Sequence, residues 1–275
     1  MRQIRIVTLL LILPLLILLS ACGKSPEKAR IELGQMNIEY TKANFLKYAQ
    51  EGDITVVDLF LKVGMDLNSQ DERGLTASHV AAAEGHTSTV QLLLSKGADV
   101  NMSSKKVEGY NFAKNEDKTF KRMFNCAYRC ENVTPLILAI VNNKNDVVKL
   151  LLDKGADINP KATFAFFIPF SEEPIFSSWL TSDIAILGGY SNIVKTMLDK
   201  GLDVNTKNEE GGRPLLHIAV ANGHIEMVKM LISKGADLNV KEMDGTTALQ
   251  LAKMLHEDKG RDTLIKLLKN AGAKE

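Results

Sequence analysis

A short string recurs five times along this chain: VGMDLN (63–68), KGADVN (96–101), KGADIN (154–159), KGLDVN (200–205) and KGADLN (234–239). Its glycines, Gly64, Gly97, Gly155, Gly201 and Gly235, stand 33, 58, 46 and 34 residues apart, and Gly272 follows after 37. A period of about 33 residues means that one supersecondary unit is copied, each copy burying its neighbour's face rather than a central core. Seven, four and three positions before each glycine come apolar residues: Val57/Phe60/Leu61, Val90/Leu93/Leu94, Val148/Leu151/Leu152, Val194/Met197/Leu198 and Val228/Leu231/Ile232. That is one stripe of an amphipathic helix. The glycine suits a left-handed C-terminal stop, and Lys96, Lys154, Lys200 and Lys234 complement the helix dipole just before it. An earlier helix in each unit carries a small residue, Ala81, Ala139, Ala185, Ala219 or Ala252, that lets two helices approach closely.

The fullest copy, DERGLTASHVAAAEGHTSTVQLLLSKGADVN (71–101), resembles the ankyrin repeat, and VTPLILAI (133–140), GGRPLLHIAVANGHIEMVKMLISKGADLN (211–239) and DGTTALQLA (244–252) agree with it in register. The resemblance implies an all-α solenoid over residues 36–275, built of about six helix-turn-helix units with finger loops and two insertions. The units fall at about 36–68, 69–101, 102–159 with an insert, 160–205 with an insert, 206–239 and 240–275. The fourth copy is weak, because Leu180-Thr181-Ser182-Asp183 stands where the family has Thr-Pro-Leu-His. At the ends Tyr48 replaces the small alanine and Lys269 an apolar position, as capping units with a wet outer face require. In the family, histidines at the positions of His79, His217, His86 and His224 tie adjacent turns together, which gives these four a structural role. Ankyrin arrays bind other proteins, so the resemblance implies a monomeric protein-binding module and not an enzyme.

The first 22 residues stand apart. Arg2 and Arg5 precede an apolar stretch from Ile6 to Leu19, broken only by Thr8 and Pro14, that ends in Leu19-Ser20-Ala21-Cys22. A charged start, a short greasy stretch and small residues describe a secretory signal, and the stretch is shorter than the roughly 20 residues a spanning helix needs. The last four residues resemble the lipobox of bacterial lipoproteins, which implies a signal peptide over 1–21, an acylated Cys22 and a lipidated tether over 22–35. Gly23 in place of aspartate implies sorting to the outer membrane, with the body on the periplasmic face of the cell envelope. Several acyl chains on one cysteine anchor a protein where a single chain would not. Some bacterial ankyrin lipoproteins are immunity proteins that neutralise toxic effectors, lipases among them, delivered by type VI secretion, so the layout implies a toxic effector as partner. An envelope scaffold or stress factor without a toxin partner is the alternative.

With 34 Lys+Arg against 33 Asp+Glu, nothing in the bulk charge points to nucleic acid. No HExxH, no cysteine near a histidine at zinc spacing, no GxSxG and no phosphate-cradling loop occurs, so neither a metal nor a cofactor is expected. The recurring aspartates Asp99, Asp157 and Asp237 serve the loop that repeats with them.

Individuality therefore lies in the two inserts. The first, about 25 residues between Asn101 and Val133, is mildly basic, with Lys105, Lys106, Lys121 and Arg122 as candidates for partner binding. Phe120, Met123, Phe124 and Ala127 fall at helical spacing, which predicts a short helix that either packs on the units or binds. Cys126 and Cys130 stand four apart and, outside the cytoplasm, are candidates for a local disulfide. The second insert crowds Phe164, Phe166, Phe167, Phe170, Phe176 and Trp179 around Pro169 and Pro174, which predicts irregular structure. Aromatic anchors for a partner, a membrane-touching patch and a plug over the fourth unit are the three readings of that cluster.

Overall fold

The computed structural model describes residues 25–104, 107–108, 127–166, 175–208, 211–257 and 260–274. Each unit supplies an inner and an outer helix. The pairs are α2 (Lys42–Glu51) with α3 (Ile54–Val63), α4 (Ala77–Glu84) with α5 (Thr87–Ser95), and α6 (Pro135–Val141) with α7 (Asn145–Asp153). They continue as α8 (Thr181–Leu187) with α9 (Ser191–Asp199), α10 (Leu215–Ala221) with α11 (Ile225–Ser233), and α12 (Ala248–Met254) with α13 (Arg261–Asn270). Inner helices pack on inner helices and outer on outer along the stack, so the core is one continuous seam.

The local chemistry repeats with the sequence. Thr41, Thr134 and Thr247 cap inner helices by accepting backbone N–H bonds from Asn44, Ile137 and Gln250. Ala81, Ala139, Ala185, Ala219 and Ala252 are all fully buried between the two helices of their units, and Val57, Val90, Val148 and Val228 are buried with them. Lys269 is exposed on α13, the outer helix of the sixth unit.

Residues 26–35 depart from the expected tether. They form a helix, α1 (Pro26–Gln35), capped by Ser25, which accepts from the N–H of Lys28 at 3.3 Å. Ala29 and Leu33, one turn apart, are buried and pack on α3, and the Arg30 guanidinium lies 5.4 Å from the centre of the Tyr40 ring. Tyr40 stacks in turn on Phe60 at 5.5 Å. α1 thus covers an end of the seam that the first unit would leave wet.

The inserts carry strands. β1 (Val107–Glu108), β2 (Ala127–Glu131), β3 (Lys161–Phe166) and β4 (Ile175–Leu180) form one antiparallel four-stranded sheet in that order. Ala127, expected on a helix, is the first residue of β2; residues 120–124 lie outside the described residues. The aromatic insert is not irregular at its base, because six residue pairs from Lys161↔Leu180 to Phe166↔Ile175 hold β3 on β4. β2 pairs with β3 from Ala127↔Phe166 to Glu131↔Thr163, which joins the two inserts although they belong to different units.

Candidate functional site

The loops at the finger side are wired unit to unit. Within each loop the aspartate bends the chain back: Asp99 Oδ1 accepts from Asn101 N–H at 2.9 Å, and Asp157, Asp203 and Asp237 do the same for Asn159, Asn205 and Asn239. The asparagine then reaches onward. Asn68, Asn101, Asn205 and Asn239 accept from the backbone N–H of Asp99, Asp157, Asp237 and Lys274 at 3.2, 2.9, 2.9 and 2.8 Å. Asn159 is the exception, since its Oδ1 accepts from Thr181 Oγ1 and Ser182 N–H, both at 2.9 Å, at the start of α8. The weak fourth copy is therefore joined to the third differently from the others.

The histidines divide. His79 is fully buried, its Nδ1 accepting from Thr76 N–H at 3.2 Å and its Nε2 meeting Val133 O at 3.0 Å, which places the proton on Nε2. Burial holds it neutral, down at about 4, against the pull of the Val133 carbonyl and Asp71. Val133 also bonds Ser104 in both directions, so His79 clamps the neck of the first insert. His86 donates from Nε2 to Gln50 O at 2.9 Å with its ring pressed on Gly52, and the His224 ring lies over Gly189. His217 lacks one of the partners that His79 has. It is buried, but Pro214 stands where Thr76 stands in the second unit, and proline offers neither N–H nor hydroxyl. The His217 ring lies beside the Val240 and Thr246 backbone, yet neither nitrogen makes a well-formed hydrogen bond among the described residues.

A model of ankyrin repeats matches in three copies, over residues 16–104, 45–162 and 183–274. The chain belongs to the ankyrin-repeat family. The putative ankyrin repeat protein YahD of Escherichia coli strain K12 is 28% identical over 124 residues, 45% of this chain and 49% of that protein. The chain spans about half or less of the length of the curated relatives it matches. An ankyrin repeat domain of Acinetobacter baumannii AYE superposes with a TM-score of 0.61 at 23% identity, covering 85% of this chain and all of that one. A chain from the complex of the Bdellovibrio bacteriovorus predatory endopeptidase Bd0816 with the immunity protein Bd3460 gives a TM-score of 0.56 at 24% identity, over 82% of this chain and 96% of that one. These likenesses show the ankyrin fold.

Within that fold the expected partner-binding residues scatter. Phe164 is a correction: it is fully buried, in register with Cys130 on β2 and Ser177 on β4, so it packs the sheet instead of facing a partner. Phe166 and Phe176 are strand residues in β3 and β4; Phe167, Phe170, Lys105, Lys106, Lys121 and Arg122 lie outside the described residues, as do Cys22 and Cys126. Cys130 is fully buried, and burial pushes its thiol up.

Trp179 lines a cavity. Its Nε1 donates to Ser177 Oγ at 2.5 Å, which sets the ring at the edge of a cleft of about 220 Å³ between the second insert and the next ankyrin finger. Ser178, Asp183, Asn208 and Arg213 also line it. Asp183 occupies the family's histidine position, 4% exposed, with Oδ2 accepting from Leu180 N–H at 3.2 Å. Arg213 forks onto Glu242 at 2.9 and 3.1 Å, linking the fifth and sixth units. Nothing in sequence spacing announces this cleft, because Asp183 and Arg213 come from different units; the one signal is the aspartate that breaks the repeat. Among the described residues no group of three or more His, Cys, Asp or Glu could hold a metal, and no helix is long and apolar enough to cross a membrane.

Proposed function

We propose that this chain is a lipid-anchored ankyrin module of the bacterial envelope, on the periplasmic side of the outer membrane, that captures a toxic effector protein and so confers immunity. The observation that carries the binding reading is the sheet β1–β4. An ankyrin array needs no such sheet to fold, and here both inserts depart from the repeat only to pair with each other through β2 and β3. Such a platform beside the finger loops suits a single protein partner. Leu19-Ser20-Ala21-Cys22 supports the anchor, and the immunity protein in the Bdellovibrio complex supports the toxin reading.

The gene next to this one is expected to encode a secreted toxin, and a strain deleted for this protein is expected to die in contact with siblings that carry it. Survival of that strain overturns the immunity reading. For the anchor, Cys22→Ser is expected to move the protein from the membrane to the soluble periplasmic fraction.

A further inference from the structure

We propose that the outward face of α1 is the surface on which the array stands against the lipid bilayer; this rests on the reading that Cys22 carries the lipid anchor. Helix α1 is the outer half of an incomplete unit. Ile38 N–H bonds Leu33 O at 2.9 Å as Ala98 N–H bonds Leu93 O at 3.0 Å, and Asn37, φ +57°, takes the left-handed place of Gly97, φ +98°. Among the described residues no inner helix precedes it. Outer helices run from the short turns to the finger loops, and α1 does the same, because residues 36–41 lead straight to the start of α2. Its first residue therefore lies at the edge of the turns, a helix length of about 15 Å from the loops.

Cys22 stands three residues before Ser25, the N-cap of α1, and three residues span at most about 11 Å. A lipid on Cys22 consequently holds the start of α1 at the headgroups. Two faces meet at that corner, the end of the stack and the edge of the turns. Of the five exposed large apolar side chains among the described residues, three, Ile31, Met36 and Ile54, belong to α1, its cap and the start of α3, which selects the end. Ile31 is two residues from both Ala29 and Leu33, so it points away from α3 and out of the stack. Its exposed neighbours one turn away, Glu27, Lys28, Gly34 and Gln35, carry no net charge to repel a headgroup. The turn edge presents exposed Asp53 and Glu226 to the phosphates and, beyond Ile54, only Met254 among the large apolar side chains.

Standing on α1, the array points away from the bilayer. Helices α3, α5 and α7 follow α1 in the outer row, and at about 8–10 Å per helix the sheet of the third and fourth units is held roughly 25–30 Å from the lipid. The sheet is then clear of the headgroups and open to a protein arriving through the periplasm.

The acylated chain, extracted from membranes in detergent, is reconstituted in vesicles of phosphatidylethanolamine with phosphatidylglycerol. Its hydrogen–deuterium exchange is compared with that of residues 22–275 carrying Cys22→Ser in solution. Exchange across residues 27–36 is expected to slow about fivefold or more in the vesicles, with the turns at Gly85, Asn143 and Gly223 unchanged. Ile31→Glu is expected to remove most of that protection, while helical circular dichroism and co-sedimentation with the vesicles stay unaltered, because the acyl chains still hold the protein. Unchanged exchange in α1, protection that runs on along the turns or the finger loops, or full protection in Ile31→Glu overturns the proposal. Should Ile31→Glu fail to fold, the exchange map of the unaltered chain still decides. The mass of the residue-22 peptide separates the two readings: without acyl chains the anchor and the seat fall together, and with them an unprotected α1 sinks the seat alone.

Discussion

His79 in the second unit meets the carbonyl oxygen of Val133 in the third at 3.0 Å, across the neck of a 25-residue insert. The bond requires the neutral ring with its proton on Nε2, since Nδ1 is already an acceptor for Thr76. Stability should therefore depend on pH. The folded value is about 4 and the free value 6.5, so between them the unfolded chain binds the extra proton. The contribution is complete above the free value, shrinks as pH falls through the window and is gone below the folded value; the gap is worth roughly 3 kcal/mol. His217, lowered chiefly by burial, adds in the same direction. The urea midpoint should fall steadily between about pH 6.5 and pH 4, and His79→Gln should flatten that slope while lowering the midpoint at neutral pH. An unchanged slope in the variant would assign the pH response elsewhere.

The asparagine wiring predicts a graded effect. Asn101→Ala removes one acceptor for Asp157 N–H and should cost about 1 kcal/mol in urea denaturation. Asn159→Ala removes the acceptor shared by Thr181 and Ser182 and should cost about twice as much. Because the second lies where the weak fourth unit joins the array, it should also broaden the transition as the two halves uncouple.

Two glycines separate backbone strain from close packing. Gly97 has φ +98° with open space around a prospective Cβ, so Gly97→Ala should cost about 1 kcal/mol for the left-handed conformation alone. At Gly52, φ +78°, a Cβ would come within 2.5 Å of His86 Nδ1. Gly52→Ala must also displace that ring and its bond to Gln50, and should cost at least about 2 kcal/mol. Thermal denaturation of the two variants side by side gives the comparison.

Cys130 should be inert in the folded, reduced protein. Its thiol is buried in β2 and pushed up by that burial, so little thiolate forms and no reagent reaches it. Iodoacetamide at mildly alkaline pH should leave Cys130 unlabelled until denaturant is added, as read by peptide mass spectrometry. Prompt labelling without denaturant would show that the sheet opens.

The spacing of Gly64, Gly97, Gly155, Gly201 and Gly235, with the valine and alanine stripes before them, was enough to determine the helix pairs, their order and the family, because those features are local and period-bound. The aspartates of the loops and the clamp at His79 were legible for the same reason. Tertiary structure decided what depends on residues far apart in the chain. β2 found β3 across two units, so Phe164, one of a crowd of rings in the sequence, became a core residue. Helix α1 has only Ala29 and Leu33 on its buried side, too faint a pattern to stand out, and it exists by packing on α3. Pro214 changed the surroundings of His217 without changing the histidine, and the cleft of Trp179, Asp183 and Arg213 took shape only when the fourth and fifth units stacked. Local periodicity determines which elements form; which side chains meet at a site depends on how those elements bury one another.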